Sequence, residues 1–210
     1  QHGIDAFIFD VYFIENSERK LEYKVLKNIS DSTLTMNQVE ALFPDPDNEL
    51  SDAAKKAGNI IFAQSFKPQG KKKEPVKKRT EVMERRLKLL EQRNLFRIVD
   101  PNKYSSLFDF YDIETVVDTL IKNSAGVYFF QSDPDPDGLQ RKYPLVGLYE
   151  NKLFPSASLA IALNHYGVPF DSVEIIPGDV IRFNLPNADE HGRNSISCLL
   201  YTSPSPRDFT

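Results

Sequence analysis

Short apolar runs alternate along this chain with segments whose apolar residues recur at helical spacing, and that alternation predicts an α/β domain. Asp5-Ala6-Phe7-Ile8-Phe9-Asp10-Val11-Tyr12-Phe13 is rich in aromatic and β-branched residues and reads as a largely buried strand. Pro44-Asp45-Pro46-Asp47-Asn48 marks a turn able to cap a helix at Asp47 or Asn48. Leu50, Ala53, Ala54 and Ala57 then fall at helical spacing, and Gly58 follows as the residue that closes the helix. Asn59 to Ala63 is a second short buried strand, so strand, helix and strand predict a βαβ unit with a parallel pair.

Beyond it the character changes. Lys67, Lys71, Lys72, Lys73, Lys77, Lys78 and Arg79 surround Gly70 and Pro75, which predicts a solvated loop. Met83, Leu87 and Leu90, widened by Val82 and Leu89, outline a helical face after it. Ile113, Val116, Val117, Leu120 and Ile121 fit a second helix, with Glu114, Asp118 and Lys122 on the other side. Gly126 to Gln131 and Lys142 to Tyr149 read as strands joined by the turn Asp133-Pro134-Asp135-Pro136-Asp137-Gly138. Pro155 suits a first helical turn, Ser156 to Tyr166 is apolar almost all round, and Gly167 and Pro169 close it. Two short strands, Val173–Ile176 and Val180–Phe183, flank Pro177-Gly178, and the stretch from Asn184 to Ser197 starts a closing strand. The expected fold is α/β: a single three-layer-like domain, its mixed sheet starting from a βαβ unit, and incomplete at the C-terminus.

A hydrophobic fraction of 40% is enough for a folded core, and a formal charge of −4 leaves no global footprint for nucleic acid. The lysine cluster could neutralise phosphates, yet no aromatic residue between Lys67 and Arg79 is available to stack on bases, so a solvated loop is the better reading. No apolar run is long enough to span a membrane.

Enzyme signatures fail one by one. The closest two of the nine glycines are Gly138 and Gly147, which rules out GxGxxG and GxxxxGK phosphate loops. There is no Gly-x-Ser-x-Gly elbow, and His2, His165 and His191 are scattered without an HExxH pair. His165, near the end of an apolar helix, reads as a structural or surface histidine. Asp5 and Asp10 flank the first strand on opposite faces, and Asp10 reads as a cap or turn residue, the alternative being a place in the crevice beyond the carboxyl end of a strand. Asp133 to Gly138 begins like a calcium loop, but the twelfth position, which should be a bidentate Glu, is Pro144. A rigid hairpin turn is expected there, with no metal and no cofactor. The reading from another functional class is a soluble α/β hydrolase-like enzyme using Asp5 or Asp10 with the 133–137 aspartate turn.

The run Cys198-Leu199-Leu200-Tyr201-Thr202-Ser203-Pro204-Ser205-Pro206-Arg207-Asp208 resembles a transposase-type sequencing adapter translated in frame. Residues 198–210 are therefore expected to be a non-native tail that packs on nothing essential. The natural sequence is expected to stop near Ser197 and, since the chain opens on Gln1, to lack its beginning.

Four segments in order resemble the CHASE type-two family of extracellular sensor domains. They are Gly3 to Phe13, Asp52 to Ala63 with its Ala-Gly-Asn turn into an apolar strand, Asp135 to Leu145, and Pro155 to Ala162. The third carries the most specific pattern, Asp135-x-Asp137-Gly138-x-x-Arg141-x-x-Pro144-Leu145. The resemblance spans roughly residues 3–185 and departs from the family at about 67–93, which looks like an insertion. It implies an extracytoplasmic, non-catalytic domain of a bacterial membrane receptor. Such a receptor has membrane helices outside this fragment and an adenylate or diguanylate cyclase or a kinase as cytoplasmic output. An unidentified small-molecule or protein signal and a receptor homodimer belong to the same implication.

Overall fold

The computed structural model describes residues 6–20, 35–68, 79–93, 97–104, 107–131, 137–139, 143–177 and 179–199. Its α/β organisation starts from the expected βαβ unit. Strand β1 (Phe7–Phe9) lies parallel to β2 (Ile60–Pro68), with Phe7 opposite Ile60 and Phe9 opposite Phe62. Helices α1 (Met36–Leu42) and α2 (Pro46–Ala57) lie between them in sequence. Asp45, rather than Asp47 or Asn48, caps α2: its carboxylate accepts the N–H groups of Asp47 and Asn48, and Pro46 starts the helix without needing a donor. Gly58 closes α2 at φ 75°, a conformation open to glycine, and its N–H returns to the Ala54 carbonyl. The first strand is shorter and barer than its sequence suggests, because β1 is an edge strand. Phe7 and Ile8 remain 47% and 39% exposed.

Helix α3 (Glu81–Arg93) precedes β3 (Arg97–Ile98), and β4 (Phe108–Glu114) then runs antiparallel to β2. Ile113 therefore belongs to a strand, and the helix expected from Ile113 onward is confined to α4 (Asp118–Asn123). Tertiary pairing overrides the helical spacing: Ser65 faces Glu114 and Phe66 faces Ile113 across the ladder. In α3, Leu87 and Leu90 are buried as expected, whereas Val82 is exposed and Arg86 is buried.

Strand β5 (Gly126–Phe129) joins β2 in parallel, while β6 (Val146–Tyr149) joins β4 in parallel. The segment between β5 and β6 is consequently not a β-hairpin, since the strands on either side pair with different partners. The hairpin lies one strand later, between β6 and β7 (Lys152–Pro155), where Glu150 and Asn151 both adopt positive φ, as a tight two-residue turn requires. Pro155 ends β7 instead of starting a helix. Ser156 caps α5 (Ala157–Tyr166), its Oγ accepting from the Leu159 N–H, and Gly167 closes that helix.

A bridge between Phe129 and Ser156 brings β5 beside the end of β7, so the hydrogen-bonded neighbours close a circuit β2–β4–β6–β7–β5. Its interior is aromatic. Phe66 meets Phe110 and Tyr149 one way round the circuit, and Phe129 and Phe154 the other, with ring centroids 4.7 to 6.0 Å apart. Gly147 is required beneath this cluster, because a Cβ there would stand 2.0 Å from Phe110 Cε2. Helices α2, α3 and α4 cover this core from one side through Ala54, Leu87, Leu90, Leu120 and Ile121. On the other side lies α5, together with an antiparallel sheet of β8 (Glu174–Ile176), β9 (Val180–Asn184) and β10 (Ser195–Leu199).

Candidate functional site

Helix α5 covers only part of its side of the sheet. Ala157 and Ala160 pack onto Ile61 of β2 and Tyr128 of β5, and the Tyr128 hydroxyl, its pKa raised by burial, hydrogen-bonds Asn164. Ile8 is in register with Ile61, yet among the described residues nothing comparable lies over it, and it stays well exposed. The result is an open groove of about 830 Å³ along α5. Its floor is formed where the parallel strands begin: Ala6 before β1, Gly58 and Asn59 before β2 with Ile61, and Ala125 before β5. Ser158, Ile161, Ala162, Asn164, His165 and Tyr166 of α5 form its wall. Small side chains create the space, and Asn59, Asn164, Ser158 and His165 supply polar atoms. Among the described residues no Asp, Glu, Lys or Arg lines it, and that lining suits an uncharged ligand with an apolar body. Its volume falls within the roughly 300–1,000 Å³ of small-molecule sites.

His165 is exposed at this groove, its ring edge-on to Tyr166 at 4.9 Å. It is a surface histidine, as expected, and one that lines this groove. His191 is exposed beside Glu190 on the turn before β10, and His2 lies outside the described residues. Among the described residues no three His, Cys, Asp or Glu side chains gather as metal ligands.

The opposite, carboxyl edge of the parallel strands holds Asp10, exposed just after β1. Tyr12 and Tyr143 are its electrostatic neighbours. Burial pushes the Tyr143 hydroxyl up to about 12, with the Asp10 charge adding to the effect and contacts to Ser156 and Ser158 opposing it. The Tyr143 hydroxyl donates to the Phe129 carbonyl at 3.3 Å, and Gln131 Nε2 donates to the Tyr12 hydroxyl at 2.8 Å and to the Gln64 carbonyl at 3.1 Å. Both phenols are held neutral and engaged in bonds. Of the aspartate-turn motif, Asp137 accepts the Leu139 N–H at 3.1 Å, Gly138 adopts φ 79°, and Pro144 is half-buried. Asp5, Asp133, Asp135 and Arg141 lie outside the described residues, so Asp10 is the only one of the two first-strand acids that can be placed.

A strap of residues 10–17 crosses this carboxyl edge, and buried polar groups that sequence reasoning missed hold it. Arg86 donates to the Ile14 carbonyl at 2.6 Å, to Asn16 Oδ1 at 3.2 Å and to Asp118 Oδ1 at 2.9 Å. Asp47, also buried, accepts from the Ser17 N–H, the Ser17 hydroxyl and Asn16 Nδ2. An arginine on the apolar stripe of α3, one residue before Leu87, was the available signal. The basic segment reaches the described core at its two ends. Lys67 extends β2 and pairs with Glu114 and Asp112, and Arg79 packs on the Tyr149 ring and pairs with Glu150. Lys71 to Lys78 lie outside the described residues.

No model of a protein family, no curated protein and no solved structure matches this chain.

Proposed function

We propose that this chain is the sensory domain of a bacterial membrane receptor, on the extracytoplasmic side, and that the groove along α5 is where it takes its signal. The observation that carries the reading is convergence. Three of the four segments that resemble the CHASE type-two sensors meet at the groove: Gly3 to Phe13 through Ala6, Asp52 to Ala63 through Gly58, Asn59 and Ile61, and Pro155 to Ala162 through Ser158, Ile161 and Ala162. The Ala-Gly-Asn turn then has a physical role, since it brings β2 into the sheet beside the open space with no bulky side chain at Gly58. Binding there tightens α5 against the sheet and shifts the domain between two states, which flanking membrane helices pass to a cyclase or kinase. The same receptor acts as a homodimer.

The gene around this fragment tests the receptor part. Apolar spans of about 20 residues on both sides are expected, and an uninterrupted soluble chain overturns it. Thermal-shift screening of uncharged small molecules tests the groove. A stabilising compound should lose its effect in Ala162→Trp, which fills the groove, and a compound that stabilises both proteins equally binds elsewhere.

A further inference from the structure

We infer that an internal hydration site lies beneath the strap, between Gln64, Thr115 and Gln131. Gln64 stands in the middle of β2, wholly enclosed, and the alternation that sends Phe62 and Phe66 into the aromatic core sends it the same way. Neither Oε1 nor Nε2 of its amide has a hydrogen-bond partner. Two further orphaned atoms belong to neighbouring positions on the flanking strands. Thr115 Oγ1 follows β4, where the ladder ends at Ser65 with Glu114, and the same register carried one residue further sets Thr115 opposite Gln64. Gln131 Oε1 follows β5, where Gln64 pairs with Phe129, and the other end of the same amide already holds the Gln64 carbonyl.

The strap closes over the same positions. Tyr12 reaches Gln131 beyond β5, and the Phe13 carbonyl accepts the Val117 N–H beyond β4. Phe13 also packs edge-on against Phe62, sealing the layer from one side. A lone buried polar atom is destabilising by more than an ordinary hydrogen bond contributes, and several in adjacent positions are rarely left so. One donor and three acceptor or hydroxyl groups match what a buried water needs, which is two to four polar partners in a dry surround. The occupant assigned is ordered water, one or two molecules, bridging β4, β2 and β5 where no side chain does.

A crystal structure of the full chain at a resolution that shows water tests this directly. Solvent density within hydrogen-bond reach of the Gln64 amide and the Thr115 hydroxyl is expected, and an apolar, empty layer there overturns it. Melting temperatures of Gln64→Met, Thr115→Val and the double variant give a second readout. With shared water, each single variant melts lower by a few degrees and the double variant falls by less than the sum. A Gln64→Met protein that melts higher than the parent, or strictly additive shifts, overturns the sharing.

Discussion

The two edges of the parallel strands β1, β2 and β5 are built differently. Open α/β sheets ordinarily bind ligands beyond the carboxyl ends of their strands. Here that edge is occupied by the chain itself: the strap of residues 10–17 lies across it, tied by Arg86 and Asp47, and the tyrosines there are spent on internal bonds. Among the described residues the amino edge is left open, walled by α5 and floored in part by alanine and glycine. Polar, buried and satisfied groups mark a clamp, whereas small, half-covered residues beside an uncovered strand mark a place to bind. Asp10, the acid that its position at a strand end made attractive for chemistry, belongs to the clamped edge.

The contrast breaks most readily at Arg86. Substitution by Met keeps the bulk of the side chain but removes the bonds to Ile14, Asn16 and Asp118 together. Removing one member of a buried ion pair is destabilising by roughly 3–5 kcal/mol, and because Asp118 keeps Arg85 the lower end, about 3 kcal/mol, is expected. Urea unfolding measures it. A loss below about 1 kcal/mol would mean that the strap is held by something other than this network.

Acid should loosen the same edge. Burial acts to raise the Asp118 pKa, but hydrogen bonds from Arg85 and Arg86 outweigh it and hold the carboxyl below its ordinary range. The folded value thus lies under the unfolded one of about 3.9. The stabilisation is complete above the unfolded pKa and disappears as pH falls through the folded one. Urea midpoints taken downward from about pH 5 should fall more steeply for the parent than for Asp118→Asn. Equal slopes would show that the ion pair does not favour the folded state.

At the amino edge the expectation reverses. Ala162 is half-buried on the groove wall, so Ala162→Trp has room, and its stability should stay within about 0.5 kcal/mol of the parent. A loss of several kcal/mol would mean that the groove closes in solution, and the comparison of the edges would fail with it.

What could be read from the sequence follows the locality of each signal. The Gly58 and Gly167 closures and the two strands around Pro177 depend on residues within a turn of each other, and each is found where the pattern places it. Ile113 to Ile121 was misleading because a strand end, a buried turn and a six-residue helix together imitate a helical repeat. The residues Val116 and Val117 are buried as that repeat demands, but in the turn. The β6–β7 hairpin gave little warning, since its positive-φ pair is Glu150-Asn151 without a glycine. Of the site, Gly58, Asn59, Ser158, Ile161 and Ala162 stood inside segments singled out by resemblance, whereas Asn164, His165 and Tyr166 lay beyond them. That they enclose one space depends on α5 covering β5 and not β1, which no local pattern encodes.

The smallest effect is expected at the C-terminal end. Strand β10 runs through Ser197 into the adapter-like residues: Ser195 to Ser197 pair with Asn184 to Arg182, and Cys198 and Leu199 continue onto Ile181 and Val180. Cys198 is exposed, and residues 200–210 lie outside the described residues. If the tail is foreign, its first two residues extend a natural strand because backbone pairing needs no particular side chain, and Ile181 is already buried by the core around Leu153 and Leu163. Deleting 200–210 should then leave the urea midpoint unchanged, and deleting 198–210 should lower stability by less than about 1 kcal/mol, the scale of surface changes. Cys198→Ser, which keeps the pairing, should lie closer still to the parent. A large loss on the longer deletion, absent from the shorter one, would place Cys198 and Leu199 within the fold and weaken the foreign-tail reading at that point.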